Sequence, residues 1–238
     1  MPTEAVAVFG PEDIPGRNSA TGSVPGTSGY RFATVYYLNP HGQAVNVASP
    51  GGAVDTQEYD RFGNVVRSLE ATDRSLALGL LPNAGTDLAA LGLLDSDTAS
   101  RAYALSTTNA YSTDGVNLLE AVGPTVTMVM ERQVADPDGG GPLGAIEAGS
   151  TVIGRPSVTM AYDEDKPDGT RYHLVTTETQ GARIDGYPAV GLRVTRKGYA
   201  PSTAGRRAGH CACRPRPSPT PAVRTSPPTG STTTRAGW

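Results

Sequence analysis

The chain has 238 residues, a formal net charge of -3 at pH 7, 29 glycines, 20 prolines and only 37% hydrophobic residues, so we expect a chain that folds around a thin core. No apolar run approaches the roughly 18 residues of a membrane span, and Met1 to Gly10 lacks the basic start of a signal peptide, so the sequence predicts neither. Two cysteines are too few for a disulfide framework in a chain of this length.

Charge divides the chain near residue 200. All 23 acidic residues lie at or before Asp185, and nine basic residues follow it with no acidic one among them. The proline-rich basic composition predicts a disordered tail over 201–238, rich in Arg, Pro and Thr, and a GC-rich bacterial gene translated out of frame is the alternative explanation of that tail. The acidic body disfavours a nucleic-acid-binding domain.

A turn motif occurs twice in 32–72, after a partly irregular lead-in over 1–31. In the first copy Asn39 suits the first position of a type I turn, Pro40 suits the second because its φ is fixed, and Gly42 suits the fourth. The motif therefore predicts a tight turn between two strands.

The second copy of the motif is clearer and runs from Tyr59 to Asn64. Asp60 suits the first turn position, where its side chain accepts the backbone N–H two residues further on. Gly63 suits the fourth position, which is often left-handed. We expect these residues to close an antiparallel hairpin with a bulge, with Gly63 at positive φ.

Residues 73–106 break the pattern and predict a helical insertion. Apolar residues recur there at helical spacing in two groups. Thr86 precedes the first group and Ser96 the second, and both are suitable N-cap residues with acidic neighbours. The sequence thus predicts two short helices.

Degenerate copies of the turn motif continue over 107–200. Tyr111 to Gly115 repeats the spacing of the clear copy. Tyr162 and Asp163 begin a fourth copy with a longer loop, in which the next glycine is Gly169. We expect all four copies to close antiparallel hairpins.

The stretches between the turns are rich in Val, Thr and Tyr, which is typical of strands. They are 53–59, 64–69, 116–119, 125–129, 158–162 and 172–179. Both faces of these stretches carry polar residues, so we expect a wall exposed to water on both sides, stabilised by cross-strand pairs of about 0.2 to 1 kcal/mol each. The predicted fold class is mainly β, with antiparallel hairpins, a small helical insertion and a disordered tail.

The turn motif resembles the repeat of the Rhs (YD-repeat) proteins. Tyr59-Asp60-Arg61-Phe62-Gly63-Asn64 matches the YDxxGN form of that repeat, and Ser49 to Thr56 is similar to the strand and turn that lead into a unit. The resemblance covers roughly Phe32 to Ala200. The repeat-motif residues are Asn39, Gly42, Tyr59, Asp60, Gly63, Asn64, Tyr111, Gly115, Tyr162 and Asp163.

The resemblance implies a non-enzymatic structural role. In that family many repeats coil into a hollow β-shell, which implies that this chain is a fragment of a shell that encloses or carries a polymorphic toxin or another effector. Its partners would be neighbouring repeats or the effector of a longer parent protein, and its location secreted or at the cell surface. Related repeats occur in adhesion proteins, so a carbohydrate-binding or adhesion module is the alternative.

The sequence predicts no catalytic site, no metal site and no cofactor. Asp163, Asp165, Asp168 and Gly169 suggest a calcium loop, but the spacing is one residue too long and Leu174 stands where a glutamate is required. A solvated acidic loop whose carboxylates titrate as ordinary acids is the preferred interpretation.

The histidines and cysteines do not form a recognisable constellation either. His210, Cys211 and Cys213 lack a fourth ligand and the spacing of a zinc site. His41 at a turn and His173 in a predicted strand are interpreted as exposed polar residues, because neither has a nearby nucleophile and acid.

Overall fold

A computed structural model describes residues 1–10 and 27–199, together with the backbone of Arg214–Pro215. The fold is mainly antiparallel β, as the sequence predicts. Arg214–Pro215 pairs with Lys197 and Gly198, so these two residues depart from the predicted disordered tail. A strand edge offers unpaired N–H and C=O groups to any chain that passes it, which explains the pairing. The rest of the predicted tail, including His210, Cys211 and Cys213, lies outside the described residues.

The described residues form twelve strands in one sheet. They are β1 (Glu4–Phe9), β2 (Ala33–Leu38), β3 (Ala44–Ala48), β4 (Val54–Tyr59), β5 (Val65–Leu69), β6 (Thr107–Tyr111), β7 (Leu118–Val122), β8 (Val126–Val129), β9 (Thr151–Tyr162), β10 (Val175–Arg183), β11 (Val190–Gly198) and β12 (Arg214–Pro215). Their spatial order follows the chain, except that β7 and β8 both pair with β9. A 3-10 helix, Thr27–Phe32, precedes β2.

Two predicted strands are displaced from their observed positions. The predicted stretch 116–119 becomes β7, Leu118–Val122, because the third turn extends to Asn117. The predicted stretch 172–179 becomes β10, Val175–Arg183, because the fourth turn extends to Leu174. His173, predicted in a strand, therefore lies in this turn, although it is exposed as expected.

The sheet has no continuously buried face along β3 and β4. Every residue of β3 is half-buried, and so is every residue of β4 except the exposed Glu58. Since successive residues point to opposite faces, both faces of these strands are partly exposed. The bulk of the hydrophobic burial lies elsewhere, in two clusters attached to the sheet.

The first cluster belongs to the helical insertion between β5 and β6. It contains three short helices where the sequence predicts two: α1 (Ala71–Ala77), α2 (Ala84–Ala90) and α3 (Thr98–Ala104). Leu69 of β5 packs there with residues of the insertion, of which Leu88 is only 2% exposed. The buried members are Leu69, Leu76, Ala77, Ala84, Leu88 and Leu105.

The predicted N-caps of the insertion are wrong by a few residues. Thr86 lies inside α2, and Asp97 rather than Ser96 caps α3 by accepting the Ser100 N–H at 2.9 Å. Asp97 is extended, and its ionised carboxylate is a stronger acceptor than a serine hydroxyl. Helix α1 has few apolar residues, so periodicity does not reveal it, but its first N–H donates to Asp55 at 2.8 Å.

The second cluster joins the β8–β9 connection to the β10–β11 turn. Met130, Ile184 and Val190 are its buried residues. The hydroxyl of Tyr187 donates to the carbonyl of Leu143 at 2.6 Å and holds the connection against this turn. Both clusters lie away from the ends of the strands where the repeat motif is found.

Candidate functional site

The four copies of the motif all lie at one end of the strands. They connect β2 to β3, β4 to β5, β6 to β7 and β9 to β10, which are successive antiparallel pairs. We call this set of turns, 39–43, 60–64, 112–117 and 163–174, the turn rim. It is the part of the described chain where side-chain chemistry repeats.

The first two turns of the rim share one hydrogen-bond pattern. In the second, the Asp60 carboxylate accepts the Phe62 N–H at 2.8 Å and the Asn64 N–H at 2.9 Å. Gly63 has φ +89°, and its N–H donates to the Asp60 carbonyl at 3.1 Å. These facts confirm the predicted tight turn between two antiparallel strands and the left-handed glycine.

Asn39 repeats the role of Asp60 in the first turn. Its side-chain oxygen accepts the His41 N–H at 2.9 Å and the Gln43 N–H at 3.0 Å. Gly42 has φ +75° and donates to the Asn39 carbonyl at 2.9 Å. An amide oxygen thus replaces a carboxylate oxygen without changing the turn.

The third turn is one residue longer and uses a serine. The Ser112 hydroxyl oxygen accepts the Asn117 N–H at 2.9 Å, and Gly115, at φ +74°, donates to the Ser112 carbonyl at 2.8 Å. Asp114 also accepts the Val116 N–H at 3.2 Å. The extra residue explains why β7 begins later than the sequence predicts.

The fourth turn keeps the pattern across a longer loop. The Asp163 carboxylate accepts three backbone N–H groups, from Tyr172 at 2.9 Å and from His173 and Leu174 at 3.1 Å each. The left-handed residues of this turn are Asp163, Asp165 and His173, at φ +56°, +55° and +54°, and Gly169 has no positive φ. Asp163 thus satisfies three backbone donors at the far end of the loop.

The tyrosine before each aspartate fastens one hairpin to the preceding one. The Tyr59 hydroxyl donates to the carbonyl of Ala44, the first residue of β3, at 3.0 Å. The Tyr162 hydroxyl donates to the carbonyl of Leu118, the first residue of β7, at 2.8 Å. The same bond therefore recurs between β3 and β4 and between β7 and β9.

Neighbouring turns of the rim also touch. The Asn64 side-chain amide donates to the Gly115 carbonyl at 2.8 Å, and the Phe62 ring lies over Gly115. His173 Nδ1 lies 3.0 Å from Asn117 Oδ1. These contacts link the second, third and fourth turns into a row.

A polar cleft of about 350 Å³ lies between the third and fourth turns. Ser112, Asp114, Lys166 and His173 are among its lining residues. The His173 ring nitrogen Nδ1 faces an amide oxygen, while Asp114 lies 3.7 Å from Arg171 and accepts from the Ser112 hydroxyl. The cleft brings a serine, a histidine and an aspartate together, but their hydrogen bonds do not form a relay of nucleophile, base and acid.

Asp163 does not titrate as the ordinary acid that the sequence suggests. The Tyr199 hydroxyl donates to its carboxylate at 2.6 Å and, with the three backbone N–H groups, holds the pKa of Asp163 far below its usual range. The Thr170 N–H and the Tyr172 hydroxyl likewise lower the pKa of Asp168. Both acids are engaged in closing the loop, which is the physical reason for the correction.

We expect the Asp163 bonds to make stability depend on pH below about 4. A carboxylate whose pKa is lower in the folded state stabilises it above the unfolded pKa of about 3.9, and this contribution is lost as the pH falls towards the folded pKa. Thermal unfolding between pH 5 and 2 should therefore show a smaller loss of stability for Asp163→Asn than for the unchanged chain. Tyr199→Phe should fall between them.

Tyr187→Phe is the matched control for this titration. Tyr187 donates to a carbonyl rather than to a carboxylate, so its loss should lower the melting temperature by a similar amount at every pH. A pH profile of Asp163→Asn that runs parallel to that of the unchanged chain would show that Asp163 is not linked to folding.

Within the described residues, no group of three or more His, Cys, Asp and Glu side chains is placed to hold a metal ion. The absence of metal, cofactor and catalytic residues stays a prediction. His41 is exposed, and its backbone N–H donates to the side-chain oxygen of Asn39. No helix in the described part of the chain has the length and apolar character needed to cross a membrane.

Sequence reasoning finds the local hydrogen bonds of the Asp60 turn but misses the distant partners of Asp163. Tyr199, which donates to Asp163, stands 36 residues later in the chain, and nothing in the sequence marks His173 as a residue with positive φ.

Compared with family models and with curated proteins, the chain matches none.

Proposed function

We propose that this chain is a non-enzymatic structural segment of an Rhs-like (YD-repeat) β-shell that encloses or carries a toxin or another effector. The single observation that supports the proposal is the recurring bond from the tyrosine before each aspartate, Tyr59 and Tyr162, to the preceding hairpin. Such a bond serves to stack hairpins in one direction. The bond extends the sheet, and the polar side chains of the turns are occupied by the hydrogen bonds that close these turns.

The burial of the sheet supports the same role. β3 and β4 are half-buried on both faces, and β1 has a paired strand on one side only among the described residues. A sheet of this kind gains stability by adding neighbouring strands, because each hairpin contributes little alone. The proposed partners are the adjoining repeats of a longer parent protein and its effector.

The test compares this chain with a longer protein that also contains the sequence encoded by the adjoining reading frames. The proposal expects further Tyr-Asp-x-x-Gly units in the extension, and slow hydrogen exchange at outer β1 amides such as Ala7 once the extension is attached. An extension without such units, or one that leaves the exchange of these amides unchanged, would contradict the proposal. Saturable binding of the chain to a glycan array, without turnover, would favour the adhesion alternative instead.

A further inference from the structure

A cleft of about 280 Å³ lies between the sheet and the helical insertion. Residues of β3, β4 and β5 line it on one side, and residues of α1 and α3 line it on the other. It is distinct from the turn rim, with which it shares no residue. We propose that this cleft binds a small carboxylate that carries a short apolar chain.

The strand register places polar groups on the sheet side of the cleft. Asn46 lies opposite Thr56, and Thr56 lies opposite Leu69, so these three side chains share one face. The Thr56 hydroxyl donates to the side-chain oxygen of Asn46 at 2.9 Å. The side-chain nitrogen of Asn46 donates to no other described residue, so it remains available to an acceptor in the cleft.

One of the two arginines that line the cleft is already neutralised. The Arg67 guanidinium donates to both carboxylate oxygens of Glu58, and its remaining nitrogen lies 3.4 Å from the Ser106 hydroxyl. A bidentate pair of this kind balances the charge of the arginine. Arg67 therefore brings no unbalanced charge to the cleft.

The other arginine, Arg74 of α1, has no such partner. It is half-buried, and its guanidinium makes no hydrogen bond or ion pair with another described residue. Glu70 and Asp73 precede it closely in the chain, but neither forms an ion pair with it; burial and then the charge of Glu70 raise the pKa of Asp73. Removing a charge from water costs free energy unless it is paired, so Arg74 favours an anion in the cleft.

The charge balance favours a carboxylate over a phosphate. The planar fork of a guanidinium fits either group with two parallel hydrogen bonds. A phosphate monoester carries a charge of about -1.5 to -2 at pH 7, whereas Arg74 supplies a single unbalanced positive charge. A monoanion balances that charge without an excess.

The remaining walls and the size of the cleft define the rest of the ligand. Leu69 and Ala77 are buried and Ala102 is half-buried, so an apolar chain would lie against apolar side chains. The volume corresponds to roughly nine water molecules at about 30 Å³ each. It accommodates a carboxylate with a chain of about four to six carbons.

The test is a titration of the full chain with sodium butyrate, followed by two-dimensional NMR of the backbone amides. The amides of Ala77 and Ala102 should shift and saturate. Arg74→Gln should raise the Kd by about tenfold or more, because a charged hydrogen-bond donor is lost while the helix propensity hardly changes. Arg132→Gln is the matched control, since Arg132 is exposed, lies outside the cleft and removes the same charge. Its Kd should equal that of the unchanged chain.

Arg74→Lys separates the fork from the charge. It keeps the positive charge but loses the bidentate geometry, so its Kd should lie between those of Arg74→Gln and the unchanged chain. Thermal unfolding of each variant shows that it is folded. Equal Kd values for Arg74→Gln and Arg132→Gln would overturn the proposal, as would butyrate shifts that rise linearly without saturation.

Other ligands with the same four-carbon chain test the chemical class. Butanol and butylammonium should leave the Ala77 and Ala102 amides unshifted at concentrations where butyrate saturates them, and butyl phosphate should bind no more tightly than butyrate. Butanol that binds as well as butyrate would show that Arg74 plays no part, and tighter binding of butyl phosphate would contradict the carboxylate assignment. The inference rests on the helical insertion and not on the proposed shell, so either can fail without the other.

Discussion

Replacing Gly115 by alanine should destabilise the protein by about 2 to 4 kcal/mol, the sum of a left-handed backbone and an overpacked contact. Gly115 has φ +74°, and a Cβ built there lies 2.4 Å from the Phe62 ring. The contact involves the root of the ring as well as its edge, so a small movement of the ring does not relieve it. Denaturant unfolding measures the loss directly.

Gly42→Ala is the matched control for Gly115→Ala. Gly42 has φ +75°, nearly the same as Gly115, but a Cβ there meets nothing within 4 Å. Its cost should be only the backbone strain of about 1 to 2 kcal/mol. In a Phe62→Ala background the difference between the two glycine substitutions should shrink but not vanish, because the Cβ of residue 62 remains 2.9 Å from a Cβ at position 115. Equal costs in the unchanged background would show that the second and third turns do not pack on each other.

Leu88→Ala should destabilise the protein by about 2 to 5 kcal/mol. Leu88 is 2% exposed at the centre of the cluster that the three helices form with β5. Few of the described residues are buried, so the cavity removes a large part of their apolar packing. Thermal and denaturant unfolding of the variant should show the loss.

Leu80→Ala is the control for the same insertion, because Leu80 is 71% exposed. It should change stability by no more than about 0.5 kcal/mol. Met130→Ala probes the other cluster, which shares no residue with the first, so its cost should add to that of Leu88→Ala. A Leu88→Ala variant as stable as Leu80→Ala would mean that the insertion contributes nothing to folding.

The turn chemistry was predictable from the sequence because it is local. Asp60 and Gly63 are three residues apart, and the bonds that define their turn involve only the residues between Asp60 and Asn64. Asn39 and Gly42 are recognisable for the same reason. A type I turn with a left-handed fourth residue needs no distant partner to form.

The fourth turn was only half predictable because its closure is distant. The backbone N–H groups that donate to Asp163 lie nine to eleven residues away, and the Tyr199 hydroxyl donates to it from beyond β11. The three helices show the same limit: Asp97 lies beside the predicted cap Ser96, and a cap is decided by backbone geometry as well as residue type. Sequence spacing does not report such contacts.

Turnover by the purified full chain is the measurement that tests the structural role most directly. A panel of glycans, peptides, RNA and DNA should give no turnover that depends on the cleft between the third and fourth turns, where Ser112, Asp114 and His173 meet. We expect Ser112→Ala and His173→Gln to be indistinguishable from the unchanged chain, with and without added divalent metal. Turnover of any substrate that is abolished by either substitution, in a variant that remains folded, would contradict the account.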